Sequence, residues 1–269
     1  MPARATRDGA RYIGAVRTID LNADIGEHAS EPGRGAADAA LLGLITSGSV
    51  ACGFHAGDAQ VMRDTVIEAA RCGVAIGAHP GYPDRVGFGR RELPATPTAI
   101  AAYVVYQIGA LDAVCRAAGT RLRYVKPHGA LYNRAAVDRP TAMAIADAIR
   151  SVDRSLGLLA LAGSALYDAG REAGLPTAAE AFADRAYRAD GRLAPRDAPG
   201  AVLTDPAAVA DRALAIVRDG SVPTIDGTTL AVHADSLCVH GDTPDAAALL
   251  RAVRARLAGA GVTLAPFAA

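Results

Sequence analysis

Short runs of apolar and small residues without strict alternation recur along the chain, separated by stretches whose apolar positions fall three and four apart. Runs of the first kind predict strands covered on both faces. They fall at Thr18–Asn22, Ser49–Cys52, Val74–Ala78, Arg123–Lys126, Leu158–Leu161, Ala178–Phe182 and Leu237–His240. The second kind predicts helices. Beyond Asp58, the positions Val61, Met62, Thr65, Val66, Ala69 and Ala70 form a stripe at helical spacing, so Met62 reads as core. A longer helix is expected over Thr98–Ala118. Thr96-Pro97, Asp205-Pro206 and Thr243-Pro244 each place a capping side chain before a proline, which marks a helix start. Gly73, Gly119 and Gly220 stand where helices should stop.

Strand, helix, strand in repeated succession implies an α/β fold with a parallel sheet and right-handed crossovers. Seven such units predict a closed or nearly closed barrel, with an open doubly wound sheet as the alternative. Asp190–Thr229 breaks the rhythm with Pro and Gly, and predicts a loop with a short β excursion. The 269 residues suit one barrel domain over 18–269, with an Arg-rich loose tail over 1–17.

Composition narrows the function. Net charge is zero, so neither nucleic acid nor an anionic membrane surface is the expected partner. No apolar run is read as long enough for a membrane span, and the four cysteines show no disulfide or CxxC spacing, so a cytoplasmic location is expected. Lys126 is the single lysine among 28 basic residues, and Asn22 and Asn133 are the only asparagines. A lysine kept in an arginine-rich chain suggests a site needing a compact, titratable charge.

In parallel α/β folds the functional residues gather where strands end. Asp20, Asn22 and Asp24 recur at period two, hence on one face, and Glu27 follows. Later strands run into His55, into His79 and Tyr82, into Lys126 and His128, towards Glu180, Asp184 and Arg185, and into His240 and Asp242. Asp24, His55, His128 and His240 are types that Zn²⁺, Mn²⁺ or Mg²⁺ accept, although no local metal spacing is present and a hydrogen-bonded network explains them equally well. Gly87-Phe88-Gly89-Arg90-Arg91 offers free N–H groups beside two guanidiniums, and with Lys126 it could hold a nucleotide phosphate; a loop tied to a surface carboxylate is the alternative. Asp20, Asp24 and Glu27 are candidates for acid–base work, with a structural hydrogen bond as the other reading of Asp20. Cys52 lies three residues before His55, yet reads as a small buried hydrophobe, as does Cys238.

The stretches DLNADIGE (20–27), SVACGFHAGD (49–58), GVAIGAHPGYPDRVGFGRRE (73–92), YQIGAL (106–111), VKPHGALYN (125–133), EAFADRAYRADGRLAPR (180–196) and CVHGDTP (238–244) occur in this order, and the chain resembles the LamB/YcsF family from about Ile19 onward. Ile25 and the segment His28–Glu31 depart from the family pattern. The resemblance implies a distorted seven-stranded parallel β/α (TIM-like) barrel, similar to that of polysaccharide deacetylases. It also implies ATP-dependent hydrolysis of 5-oxo-L-proline to L-glutamate, with this chain working beside partner subunits B and C of a 5-oxoprolinase.

From the residues themselves, Asp20, Asn22, Asp24, His55, Lys126 and His128 are the expected catalytic set for such a reaction. Gly87, Gly89, Arg90, Arg91 and Lys126 are expected to hold ATP, and Glu27, His79, Tyr82, Glu180, Arg185, His240 and Asp242 the substrate. A divalent cation, Mg²⁺ first and Zn²⁺ or Mn²⁺ otherwise, is expected on Asp24, His55 and His128. His55 or His128 would activate water. The rival readings are a metal-dependent, ATP-independent amide or acetyl hydrolase and a non-catalytic substrate-binding subunit. A homo-oligomer is the base-rate expectation.

Overall fold

A computed structural model describes residues 18–28, 35–243 and 245–268. The predicted tail over 1–17 and the divergent residues Ala29–Glu31 lie outside the described residues. Six parallel strands follow in chain order: β1 (Thr18–Ile25), β2 (Ser47–Ala51), β3 (Ala75–His79), β4 (Tyr124–Val125), β5 (Gly157–Leu161) and β6 (Thr177–Phe182). A two-stranded antiparallel hairpin, β7 (Ser221–Pro223) with β8 (Thr229–Ala231), supplies the predicted β excursion. The seventh parallel strand, β9 (Ser236–Cys238), pairs with β6 on one side and β1 on the other. That double pairing closes a parallel barrel and rules out the open doubly wound sheet. A short β10 (Thr263–Leu264) pairs alongside the start of β1.

Helices α1 (Ala36–Leu42), α2 (Ala59–Arg71), α3 (Pro97–Ala117), α4 (Gly129–Ala135), α5 (Arg139–Val152), α6 (Ala165–Glu172), α7 (Pro206–Asp219) and α8 (Ala246–Gly259) fill the crossovers. Thr96 and Asp205 cap α3 and α7 as expected, and Asp58 caps α2, each side chain accepting from backbone N–H groups of the first turn. The third predicted start is corrected. The helix begins at Ala246 behind Asp245, and the Thr243 hydroxyl donates instead to Asp184 Oδ2 at 2.8 Å; Pro244 lies outside the described residues.

One expectation about apolar runs is also corrected. Helix α3 has 21 residues and a mean hydropathy of 1.5, which meets the length and composition of a membrane span. Its stripe Ile100, Val104, Ile108, Leu111 and Cys115 is buried, and the Gln107 side chain both donates to Gly81 O and accepts from Gly81 N.

Strand β1 sets the architecture of the site. Leu21, Ala23 and Ile25 join the apolar layer beneath the helices, while Asp20, Asn22 and Asp24 point the other way, into the barrel. The interior is therefore a polar column rather than a stack of branched apolar side chains. Low in it, Asp20 accepts from the hydroxyls of Thr46, Ser47 and Ser236. One layer higher, Asn22 Nδ2 donates to Ser236 Oγ at 2.8 Å and to Glu180 Oε1 at 3.0 Å. A column of this kind is tolerated only because its donors and acceptors are matched.

Candidate active site

Lys126 directly follows β4 and reaches across the barrel. Its Nζ lies 2.8 Å from Glu180 Oε1, 2.9 Å from Asp24 Oδ1, 3.1 Å from Asn22 Oδ1 and 3.3 Å from Cys238 Sγ. The lysine is 2% exposed. Burial opposes its charge, but Asp24 and Glu180 outweigh that cost and raise its pKa well above the usual lysine value. Asp24 is likewise penalised by burial, yet His79 and Lys126 hold its carboxyl well below the usual range. The Tyr132 hydroxyl donates to Glu180 Oε2 at 2.6 Å, which fixes the second carboxylate. Cys238, expected to be a bland core residue, thus stands beside the lysine.

A second cluster adjoins the first. His79 Nδ1 donates to Lys126 O at 2.7 Å, and His128 Nε2 donates to Phe88 O at 2.8 Å. These bonds to carbonyls take one ring N–H of each, so His79 Nε2 and His128 Nδ1 are the inward atoms, 3.0 Å apart; burial opposes a charge on His79, but Asp24 and Glu27 outweigh it and raise its pKa. Glu27 Oε1 lies 3.2 Å from His128 Nδ1, 3.8 Å from His79 Nε2 and 3.0 Å from His55 Nε2. Burial works against the Glu27 anion, but its contacts with His128 and His55 outweigh it and keep the carboxyl far below its usual range. His55 stacks flat on His128, with ring centroids 3.7 Å apart. Burial pushes its pKa down to about 4, so its Nε2–H is the donor to Glu27 and its buried Nδ1 has no partner.

On the far side, His240 packs its ring against Phe182, and its Nδ1 lies 3.1 Å from Asp184 Oδ1. A ring nitrogen of His240 is within 4.8 Å of an Asp24 carboxylate oxygen and of Cys238 Sγ. Asp184 is fully buried and also accepts from His240 N and the Thr243 hydroxyl. A carboxylate that orients an imidazole in this way is the arrangement of a positioned general base.

Above these groups opens a cavity of about 430 Å³, lined at its floor by Asp24, Glu27, His79, Lys126, His128 and His240. Among the described residues, five guanidiniums line it higher up, from Arg90, Arg185, Arg188, Arg192 and Arg196. The carboxylates paired with them are Asp242, which holds Arg90 and Arg196, and Asp190, which holds Arg188 and Arg192. The segment after β6 delivers four of the five. It doubles back through the bridges Arg185–Val202 and Tyr187–Leu193, and the Arg185 side chain caps Ala194 O and Ala201 O.

Several expected site residues stand elsewhere. Asp20 lies below the cavity in its shell of hydroxyls, where burial raises its pKa to about 6. Tyr82 is fully buried and within 3.4 Å of Arg134 Nη1, away from the cavity lining. Gly87 N and the Arg91 guanidinium are both bonded to Asp84, so this half of the loop is tied to a carboxylate, one that is buried rather than on the surface as the alternative had it. Gly89 packs against His55 and His128, and Arg90 alone of the loop reaches the cavity. Asp24 is not grouped with His55 and His128; its ligand-type neighbours are Cys238, His240 and, at 3.4 Å, His79. Asn22 and Glu180 support the lysine from beneath. The sequence reading missed Asp184 as a partner of His240, and missed Arg188, Arg192 and Arg196. Their only signal was a dense run of arginine inside the matching stretch Glu180–Arg196.

The LamB/YcsF family profile matches residues 19–269. The chain belongs to the LamB/YcsF family. Relatives of this LamB/YcsF protein include the 5-oxoprolinase A subunit of Chloroflexus aggregans, 55% identical over 247 residues, which cover 92% of this chain and 98% of the relative. Another is the 5-oxoprolinase A subunit of Heliobacterium modesticaldum, 53% identical over 246 residues and 91% and 96% of the two chains. Among solved structures, the lactam utilization protein of Thermus thermophilus superposes with a TM-score of 0.85 at 47% identity, covering 92% of this LamB/YcsF chain and 99% of the other. The Xyl-CE4 domain of a multidomain xylanase from the hindgut metagenome of Trinervitermes trinervoides matches at a TM-score of 0.50 and 9% identity, covering 93% and 87%. That likeness is one of fold, and it agrees with the expected similarity to the deacetylase barrel.

Proposed function

We propose that this chain is the A subunit of an ATP-dependent 5-oxoprolinase, opening the lactam of 5-oxo-L-proline to L-glutamate together with partner subunits B and C. The observation that carries the reading is the cavity itself, with a buried lysine and paired acid–base groups at its floor and five guanidiniums above. Its lining suits a small, negatively charged, chemically unreactive substrate that needs activation by a phosphate donor. The names of the relatives support it, since both of those described above are 5-oxoprolinase components.

The lactam is an unstrained amide. In the proposed sequence its carbonyl oxygen attacks the γ-phosphorus of ATP, the bond to the ADP oxygen breaks, and an O-phosphorylated imidate forms. Arg90, Arg188, Arg192 and Arg196 offset charge on the phosphoryl group, taking the role expected of Arg91. Lys126 joins them in stabilising charge on the transferring phosphoryl group. His240, oriented by Asp184, removes a proton as water adds to the ring carbon. The C–N bond then breaks as the nitrogen takes up a proton, giving γ-glutamyl phosphate, and a second water releases phosphate and glutamate. His240 returns to the nitrogen the proton it took from water; His128 lines the cavity, whereas His55 does not.

A metal-dependent hydrolysis without ATP is the second reading, and the clustered His79, His128 and Glu27 favour it. Glutamate release from 5-oxoproline by the purified chain, with and without ATP and with and without B and C, decides between them. Turnover requiring ATP and all three subunits is the expected result. Turnover by this chain without ATP would replace the first reading with the second, and no turnover in the full mixture would remove the lactam substrate.

A further inference from the structure

With both rings neutral, the inward face of the His79–His128–Glu27 cluster has three electron-rich atoms and no proton among them. His79 and His128 each spend their ring N–H on a backbone carbonyl, at Lys126 O and Phe88 O. Two imidazole lone pairs 3.0 Å apart, beside a carboxylate oxygen, repel unless a cation stands between them. The three atoms form a triangle with sides of 3.0, 3.2 and 3.8 Å, whose centre is about 2.0 Å from each corner. That is the bond length of Zn²⁺ to imidazole nitrogen and carboxylate oxygen. A proton serves two of these atoms; a metal ion serves all three.

We propose that His79 Nε2, His128 Nδ1 and Glu27 Oε1 hold one divalent transition-metal ion, of the Zn²⁺ or Mn²⁺ class, in the wall of the cavity. The surrounding bonds are those of a metal centre. Both histidines give their outer N–H to a carbonyl, which fixes the ring and strengthens the inner nitrogen as a ligand. His55 is excluded as a further ligand of the same ion. Its ring is parallel to that of His128 within 2°, at a centroid distance of 3.7 Å, so one ion cannot lie in both ring planes. Its Nε2–H holds Glu27 instead.

The backbone keeps the space for this stack. A Cβ on Gly81 would come within 2.9 Å of His55 Nδ1, and one on Gly89, at φ +62°, within 2.8 Å of both His55 Cβ and His128 Cδ2. All three ligand residues line the cavity, so the ion has an open side towards substrate, with Asp24 Oδ2 3.4 Å from His79 Nε2. There it can polarise a carbonyl or phosphoryl oxygen, or hold the attacking water. This use of the ion rests on the proposed lactam chemistry; its binding does not.

The test uses the full chain, stripped with chelator and carrying Cys72→Ser to remove the one exposed thiol. It is titrated separately with Zn²⁺, Mn²⁺ and Co²⁺ by calorimetry, with Co²⁺ also followed by its visible bands, in the absence of lactam, ATP and partner subunits. One equivalent of tight binding is expected, weakened at least 10-fold by the near-isosteric Glu27→Gln and lost in His79→Asn and His128→Asn. In His55→Ala the stoichiometry is kept. Absence of saturable binding of all three ions overturns the proposal. So does undiminished binding in Glu27→Gln and His128→Asn, both checked for native circular dichroism. Imidazole ¹⁵N spectra showing a cationic His79 or His128 at pH 7 that Zn²⁺ leaves unchanged would assign the gap to a proton and overturn it as well.

Discussion

Replacing Lys126 by Met keeps the length and apolar stem of the side chain and removes only the ammonium. Two carboxylates then lose their cation, at 6% exposure for Asp24 and 0% for Glu180. Breaking one side of a buried ion pair costs about 3–5 kcal/mol. Glu180 keeps the Tyr132 hydroxyl and the Asn22 amide, and Asp24 keeps His79, so the lower end applies, at about 3 kcal/mol. With a urea slope of about 2–3 kcal/mol/M, the midpoint falls by about 1–1.5 M. The loss must also depend on pH. With Lys126 present, the Asp24 carboxyl is depressed, so its contribution is in place above the unfolded value of 3.8 and goes only as pH falls through a lower folded value. Without Lys126 the Asp24 carboxyl keeps His79 but loses one of its two counter-ions, so its folded pKa moves up towards 3.8 and less of that contribution remains. The deficit caused by the substitution is therefore fully present above pH 3.8 and shrinks as pH falls below it, by up to about 1.4 kcal/mol per pH unit. Urea unfolding followed by circular dichroism at pH 3 and pH 7 should therefore show a deficit that is larger at pH 7. An equal deficit at both values, or none, would refute the assignment of Lys126 as the counter-ion of two buried anions. Full ATP-coupled turnover in the variant would refute its catalytic role.

Asp184→Asn leaves the fold intact and disorders the His240 tautomer, so kcat of the reconstituted complex should fall about 100-fold with KM little changed. Arg188→Ala together with Arg192→Ala should raise the apparent KM for the anionic substrates at least 10-fold, about 1.4 kcal/mol, with a weaker dependence on salt. Gly89→Ala combines a strained backbone with a Cβ overlapping His55 and His128, and should cost about 2 kcal/mol by thermal or urea unfolding. Asp20, raised to about 6, stabilises the fold below pH 3.8 and loses that contribution as pH rises to 6. In Asp20→Asn the change in stability between pH 4 and pH 7 should differ from that of the unmutated chain by up to about 3 kcal/mol; identical pH profiles would show that Asp20 does not titrate there.

The barrel was legible because each of its seven strands carries its own local signature, and because polar residues begin where the apolar runs end. Lys126, Asp24, His79, His128 and His240 reach the cavity for that reason. Period-two spacing put Asp20 on the same face as Asn22 and Asp24, but a face has depth. Two residues down the strand the neighbours are Thr46, Ser47 and Ser236, and the carboxyl is consumed by their hydroxyls. The Gly87–Arg91 loop failed as a unit because Asp84, only a few residues upstream, takes Gly87 and Arg91 while Arg90 turns to Asp242, distant in sequence. The arginines after β6 were invisible for a related reason. No local pattern tells that Arg188, Arg192 and Arg196 fold back over the strand ends.

The seam between β1 and β9 carries a consequence for how the chain is made. Asp20 and Asn22 sit opposite Ser236 and Cys238, more than two hundred residues away. The ribosome releases β1 first, yet the strand that completes its hydrogen bonding and supplies Ser236 and Cys238 is among the last to emerge. Through most of synthesis the polar face of β1 has no barrel to enter, and one of its backbone edges is open to a wrong partner. Closing this seam is a long-range step that the growing chain cannot take early, so nascent chains stalled before β9 should be the species that chaperones hold and proteases cut.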